Sequence, residues 1–148
     1  TSGYATSIQA LSLELTTATE EDAHALAINT GEKLLSMRRL FFADQAPVIL
    51  AHNLIPQTFL TAPIEEIDGN LHIREILKRY CAKEIAFAVT EICSVSAKDA
   101  QAIPQLEDKD HILNLKMAFY SKDNLPLALG NSHFDDSKLR LRLVQAWN

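Results

Sequence analysis

Glycine is scarce, with four in 148 residues. None opens a G-x-G-x-x-G turn after a strand, a Walker loop or a G-x-S-x-G elbow, so the chain offers no glycine-built phosphate cradle and no hydrolase nucleophile turn. Cysteine is scarcer still. Cys81 and Cys93 form no C-x-x-C pair and read as two reduced, mostly buried thiols, with a disulfide or a reactive thiol as the alternatives. His24, His52, His72, His111 and His133 fall in no zinc spacing, so no metal and no cofactor is expected. His52 and His133 stand at what read as matching positions of two hairpins. No apolar run approaches the ~20 residues that cross a bilayer, and TSGYATSIQA is not built like a signal peptide. A cytoplasmic protein with no membrane partner is therefore expected. The net charge of -5 lacks a basic footprint for nucleic acid. The carboxylates gather as Glu20–Glu21–Asp22, Glu65–Glu66, Glu107–Asp108 and Asp135–Asp136, in caps and loops where they read as solvated charge. Paired acid–base work is poorly served, and no catalytic residue is expected. The chain also lacks an initiator Met, which reads as a fragment of something longer.

What is present is a sizeable hydrophobic fraction, 47%, against 22% charged residues, enough for one domain with its own core. The stretch from Glu32 to Pro56 organises it. Two runs rich in Leu, Ile, Val and Phe flank a polar break at Ala43–Asp44–Gln45–Ala46, the pattern of a β-hairpin. A second pair, Ile112 to Tyr120 and Leu125 to Phe134, repeats the design around Ser121–Lys122–Asp123–Asn124. Each has a proline just after the break, Pro47 and Pro126, tolerable where no ladder donor is needed.

In chain order, Leu11, Leu13 and Leu15 alternate with Ser12 and Glu14, a half-buried strand. Thr19 is placed to cap a short helix carrying Glu20 and Glu21 at its positive end, stopped by Asn29–Thr30–Gly31. Leu71, Ile73, Ile76, Leu77 and Tyr80 fall at helical spacing behind Asn70 as the expected N-cap. Ile85 to Val95 reads as a long strand, Ser96 to Ile103 as a short helix ended by Pro104, and Lys138 to Trp147 as a final half-buried strand.

The order strand, short helix, hairpin thus occurs at 9–55 and again at 85–134. The expected fold is α+β: a mostly antiparallel sheet with two pseudo-repeated halves and covering helices. Along the first hairpin, Leu35, Met37, Arg39 and Phe41 share one face with Ile49, Ala51, Asn53 and Ile55. Arg39 among these apolar side chains needs partners. Its guanidinium suits a phosphate or carboxylate, or else a loop carboxylate of the protein itself.

These pieces, taken together, resemble a known family. LSLEL at 11–15, EEDAHALAINTGEKLLSMRRLFFADQAPV at 20–48, LIP at 54–56, DGNLHIREILKRY at 68–80 and LPLALGNSHF at 125–134 are similar, in order and spacing, to the effector-binding (UTRA) domain of HutC-like GntR transcriptional regulators. The resemblance implies a chorismate lyase-like fold over 1–148, acting as an effector-binding and dimerisation domain. It implies a small-molecule effector, a homodimer, and DNA contact only through a winged-helix domain upstream of this piece. A chorismate lyase-like enzyme and a dimerisation module without an effector are the alternatives. Carried over by position, the effector site comprises Arg39, Phe41, Ala51, Asn70, Ala128, Ser132 and Phe134, and Asn53 joins it from the face it shares with Arg39 and Phe41. Arg39 keeps the first member of the family's R-x-R pair and Phe41 replaces the second. Ala51 and Ala128 stand where the family has Glu, Asn70 where it has Ser, and Phe134 where it has Tyr. Ser132 keeps the small hydroxyl. A pocket so altered implies a less charged, more apolar effector or a decayed one. His133 has the wrong parity and is expected to face away.

Overall fold

Two antiparallel hairpins meet side by side to form the centre of the molecule. A computed structural model describes residues 6–95 and 112–135. Its elements are β1 (Thr6–Thr17), α1 (Glu20–Leu26), β2 (Lys33–Ala43), β3 (Ala46–Pro56), α2 (Ile73–Cys81), β4 (Phe87–Ser94), β5 (Ile112–Tyr120) and β6 (Pro126–Asp135). The strands make one sheet in the order β1-β2-β3-β6-β5-β4, with every neighbouring pair antiparallel. The sheet is two three-stranded meanders joined along β3 and β6, as the repeated order of elements implies. The expected helix at 96–103 and strand at 138–147 lie outside the described residues.

The likeness of the halves extends to their irregularities. The register slips by one residue near the turn of each hairpin, between Phe41 and Phe42 and between Phe119 and Tyr120. The extra residues, Val48 and Leu127, are both buried, and each follows the proline. Asp44 and Asn124 take positive φ in the two turns, where a short polar side chain tolerates the left-handed region. Aligned on these slips, His52 matches Asn131 rather than His133, so the expected equivalence of the two histidines fails by two residues.

Side-chain alternation gives the sheet two faces, and both are covered. On one lies α2 with the short 3-10 turns Gln57–Phe59 and Ile64–Glu66. There Leu35, Met37, Ile55, Phe119 and Leu127 pack against Ile76, Leu77 and Cys81, all buried. On the other lies α1, whose Ala23 and Leu26 pack on Leu34 with Leu54 and Leu129 beside them. Burying a Leu or Ile side chain contributes about 1.5–3 kcal/mol, so the denser α2 cluster carries more of the stability.

Local expectations were met unevenly. Thr19 does cap α1, its hydroxyl accepting from the Asp22 N–H at 3.1 Å. That helix stops earlier than Asn29–Thr30–Gly31: Ala27 turns left-handed at φ 56 and the Ile28 N–H closes onto the Ala23 carbonyl at 3.0 Å. In β1 a bulge between Ala10 and Ser12 absorbs Leu11, which is left exposed while Leu13 faces the α2 core. Asn70 is not the N-cap of α2. His72 holds that position without a side-chain bond, and the Asn70 amide oxygen instead accepts from the Ala10 N–H of β1 at 2.8 Å.

Candidate functional site

Among the described residues Arg39 is the largest fully buried side chain, 1% exposed, on the α2 face of β2. Its surroundings come from β3, from the loop before α2 and from β2 itself. Asn53 lies on the same face of β3, and its amide oxygen accepts from Arg39 Nη2 at 2.8 Å. The loop leading into α2 turns its carbonyls down, so Arg39 Nη1 donates to Leu71 O and, at 3.4 Å, to Gly69 O. Phe41, two residues along β2, sets its ring 5.5 Å from the guanidinium carbon. His72 stands 6.1 Å beyond that ring.

Two glycines make this arrangement possible. A Cβ at Gly69 would lie 2.6 Å from Leu13 Cδ1 and 2.9 Å from Ala10 Cβ, so only glycine lets the loop settle onto β1. A Cβ at Gly130 would lie 3.1 Å from Asn53 Nδ2 and 3.2 Å from Phe119. The missing side chain leaves room for Asn53 to lie across β6, where it donates to Leu129 O at 3.3 Å. Asn70 ties the loop down from the other side: its N–H donates to Asp68 Oδ1 at 2.9 Å while its side chain holds β1.

The electrostatics of Arg39 are one-sided. All its hydrogen-bond acceptors are neutral, and Nε is buried with no partner. Among the described residues the ion pair is Arg79 with Glu75, on the exposed side of α2; no carboxylate pairs with Arg39. Burial pushes its pKa down to about 10, so the group stays charged at neutral pH. A buried cation without a countercharge is costly.

The residues expected at the site fall on this face, with differences in depth. Arg39, Ala51 and Ser132 are register partners in one row across β2, β3 and β6. Phe41, Ile49 and Phe134 form the next row. Ala51 is buried, whereas Phe41, Ser132 and Phe134 are half-buried. The Ser132 hydroxyl bonds to no described residue. Ala128 is fully buried in the α2 core. Asn70 reaches the site only through the carbonyls on either side of it. His133 faces the other way, paired in register with Leu50 and Asn114. Gly69, read in the sequence as part of a turn, and Gly130 are not among the residues expected at the site, although a glycine inside the strand run 125–134 of so glycine-poor a chain was a usable signal of close approach.

A cavity of about 510 Å³ lies on the opposite, α1 face, and none of the eight expected residues lines it. No group of His, Cys, Asp and Glu among the described residues could hold a metal ion.

With this geometry in hand, comparison with known proteins is informative. The model of the family described as the UTRA domain matches residues 1–140. No curated protein sequence matches. Among solved structures, the chain is similar to PhnF from Mycobacterium smegmatis, with a TM-score of 0.85 at 16% identity, covering 99% of this chain and 65% of that one. The effector domain of the same protein matches with a TM-score of 0.83 at 16% identity, over 98% of this chain and 90% of that one. The ligand-binding domain of a GntR-family regulator from Bordetella bronchiseptica matches with a TM-score of 0.82 at 17% identity, over 96% and 91%. The chain thus spans about two thirds of the PhnF chain and nearly all of that protein's effector domain.

Proposed function

The chain belongs to the UTRA domain family, the ligand-sensing effector domains of GntR-type regulators, and from that premise we propose that it senses a small anion with an apolar or aromatic body through the α2 face. The observation that carries this reading is Arg39: a guanidinium 1% exposed, with neutral acceptors on both Nη atoms and none on Nε. A carboxylate or phosphate would supply the missing countercharge in charge-assisted hydrogen bonds. Ala51 and Ser132 keep the floor beside Arg39 shallow, and Phe41 and Phe134 offer ring faces for the apolar body.

The same contacts couple occupancy to shape. An anion at Arg39 competes with the Gly69 and Leu71 carbonyls for its N–H groups. Those carbonyls belong to the loop that positions α2, so ligand binding shifts the balance between a latched and a released loop. A ligand acts only through its differential affinity for two such states. In the complete regulator this movement would reach a winged-helix DNA-binding domain upstream and a second copy of the chain, in the cytoplasm. Support for that assembly is the match to the effector domain of PhnF, which leaves the remainder of that protein uncovered. Among the described residues no helix is long and apolar enough to cross a membrane.

A thermal-shift screen of aromatic and aliphatic carboxylates and phosphate monoesters tests the reading. An anionic hit should lose ten- to hundredfold in affinity with Arg39→Ala, roughly 1.5–3 kcal/mol for one charged hydrogen-bonding partner. Phe41→Ala and Ser132→Ala supply the same test if the arginine variant does not fold. Unchanged affinity in all three variants would remove the ligand from this face.

A further inference from the structure

The sheet register places polar side chains in a line across the α1 face. Glu91 of β4 pairs with Lys116 of β5, Lys116 with Asn131 of β6, Asn131 with His52 of β3, and His52 with Arg38 of β2. One row along, the corresponding partners are Val89, Ala118, Leu129 and Leu54, all apolar. The 510 Å³ cavity sits where these rows meet, with α1 as one wall and the edge strand β4 as the other. Its size is within the range of small-molecule sites, and its lining is shared between apolar side chains and charged or polar ones.

The charge of this cavity is opposite to that of the Arg39 face. Glu21 and Asp22 enter from α1 and Glu91 from β4, against one ammonium, Lys116. His52 adds no positive charge at neutral pH. Burial holds its ring below the ordinary value and Arg38 pushes it further, although Asp22 and Glu14 oppose. The Ser36 hydroxyl, 2.7 Å from His52 Nε2, fixes the ring's orientation. Lys116 and Glu91 stand directly opposite across the ladder but make no ion pair, so neither charge is used up by the other. The geometry points to a second ligand site on the α1 face, one that takes an organic amine with an apolar body. The ammonium would lie among Glu21, Asp22 and Glu91 and the apolar body on Leu54, Ala118, Leu129 and Val89. This site is separate from the one proposed at Arg39, and the two are on opposite sides of the same sheet.

Two probes of one shape and opposite charge test it: phenethylamine and phenylpropionate, each titrated into ¹⁵N-labelled protein while the histidine ring signals are followed. His52 reports the α1 face, and His72, beside Phe41, reports the other. Phenethylamine should move His52 saturably and leave His72 in place, while phenylpropionate leaves His52 unmoved. Glu21→Gln with Glu91→Gln, both at exposed positions, should weaken the amine by about tenfold, the scale expected for two partly solvated charges. Added salt should weaken it in the unaltered protein as well, a check that needs no variant. The inference is overturned if phenethylamine leaves His52 unmoved, if both probes move it alike, or if neither the double variant nor salt weakens binding. A failure of the Arg39 reading would show separately, in the response of His72 to phenylpropionate.

Discussion

The two faces of this sheet hold charge in opposite ways. On the α2 side one guanidinium is sunk among Met37, Phe41 and Asn53, satisfied by neutral carbonyls and short of an anion. On the α1 side three carboxylates and an ammonium line an open cavity above an apolar floor. The α2 face is a dry, interlocked assembly in which charge is structural as well as receptive. The cavity on the α1 face is open to solvent, so its charges contribute little to stability and remain free to select a ligand. One sheet can therefore present two chemistries because alternate residues of a strand face different surroundings.

That contrast orders the expected effects. The largest belongs to Arg39→Ala, which strands the Asn53, Gly69 and Leu71 acceptors and leaves a hole. It should cost about 3–4 kcal/mol in chemical denaturation. A cost below about 1 kcal/mol would mean that water reaches those carbonyls and that the face is not dry. Next is Gly69→Ala, whose Cβ must displace Ala10 or Leu13, at about 1–3 kcal/mol. On the other face, Thr19→Ala removes the cap of α1 for about 1 kcal/mol. Because α1 walls the cavity, that variant should also loosen amine binding without changing the response of His72 to phenylpropionate.

A smaller effect comes from His52. In the folded chain its ring resists a proton that the unfolded chain accepts near the ordinary histidine value of 6.5. The unfolded state then binds more protons, so this stability is complete above that pH and is lost as pH falls through it and below. His52→Gln should flatten the slope of stability against pH in that window. The smallest effect is at Lys116, whose replacement by Ala should leave stability within about 0.5 kcal/mol, as for surface substitutions generally. It should tighten phenethylamine, because the one opposing charge in the cavity is gone.

The parts of this account legible in the sequence were those written in short-range patterns. Polar breaks between β-rich runs marked both hairpins, Thr19 announced the start of α1, and a charged residue amid Leu and Phe singled out Arg39. The rest depends on pairings between distant residues. The bulge that ejects Leu11 is defined against Arg38 and Arg39, not by LSLEL itself. Asn70 has a good capping residue's chemistry, yet the N–H of Ala10, 60 residues away in sequence, takes its side chain. The depth of Ala128, buried beside its register partner Phe119 in the cluster under α2, is likewise set by pairing with a distant strand. The polar row from Glu91 to Arg38 crosses five strands, and it is assembled only by the pairing of those strands, each of which contributes one member.

The most direct test of the central claim is the ¹⁵Nε–H spectrum of the arginine side chains during titration with phenylpropionate. Arg39 should give a signal protected from exchange by burial, and that signal should shift saturably as the carboxylate reaches the one guanidinium nitrogen with no protein partner. If Arg39 stays fixed while an exposed arginine such as Arg79 moves, or if none moves, then Arg39 is a structural clamp alone and the α2 face does not sense an anion.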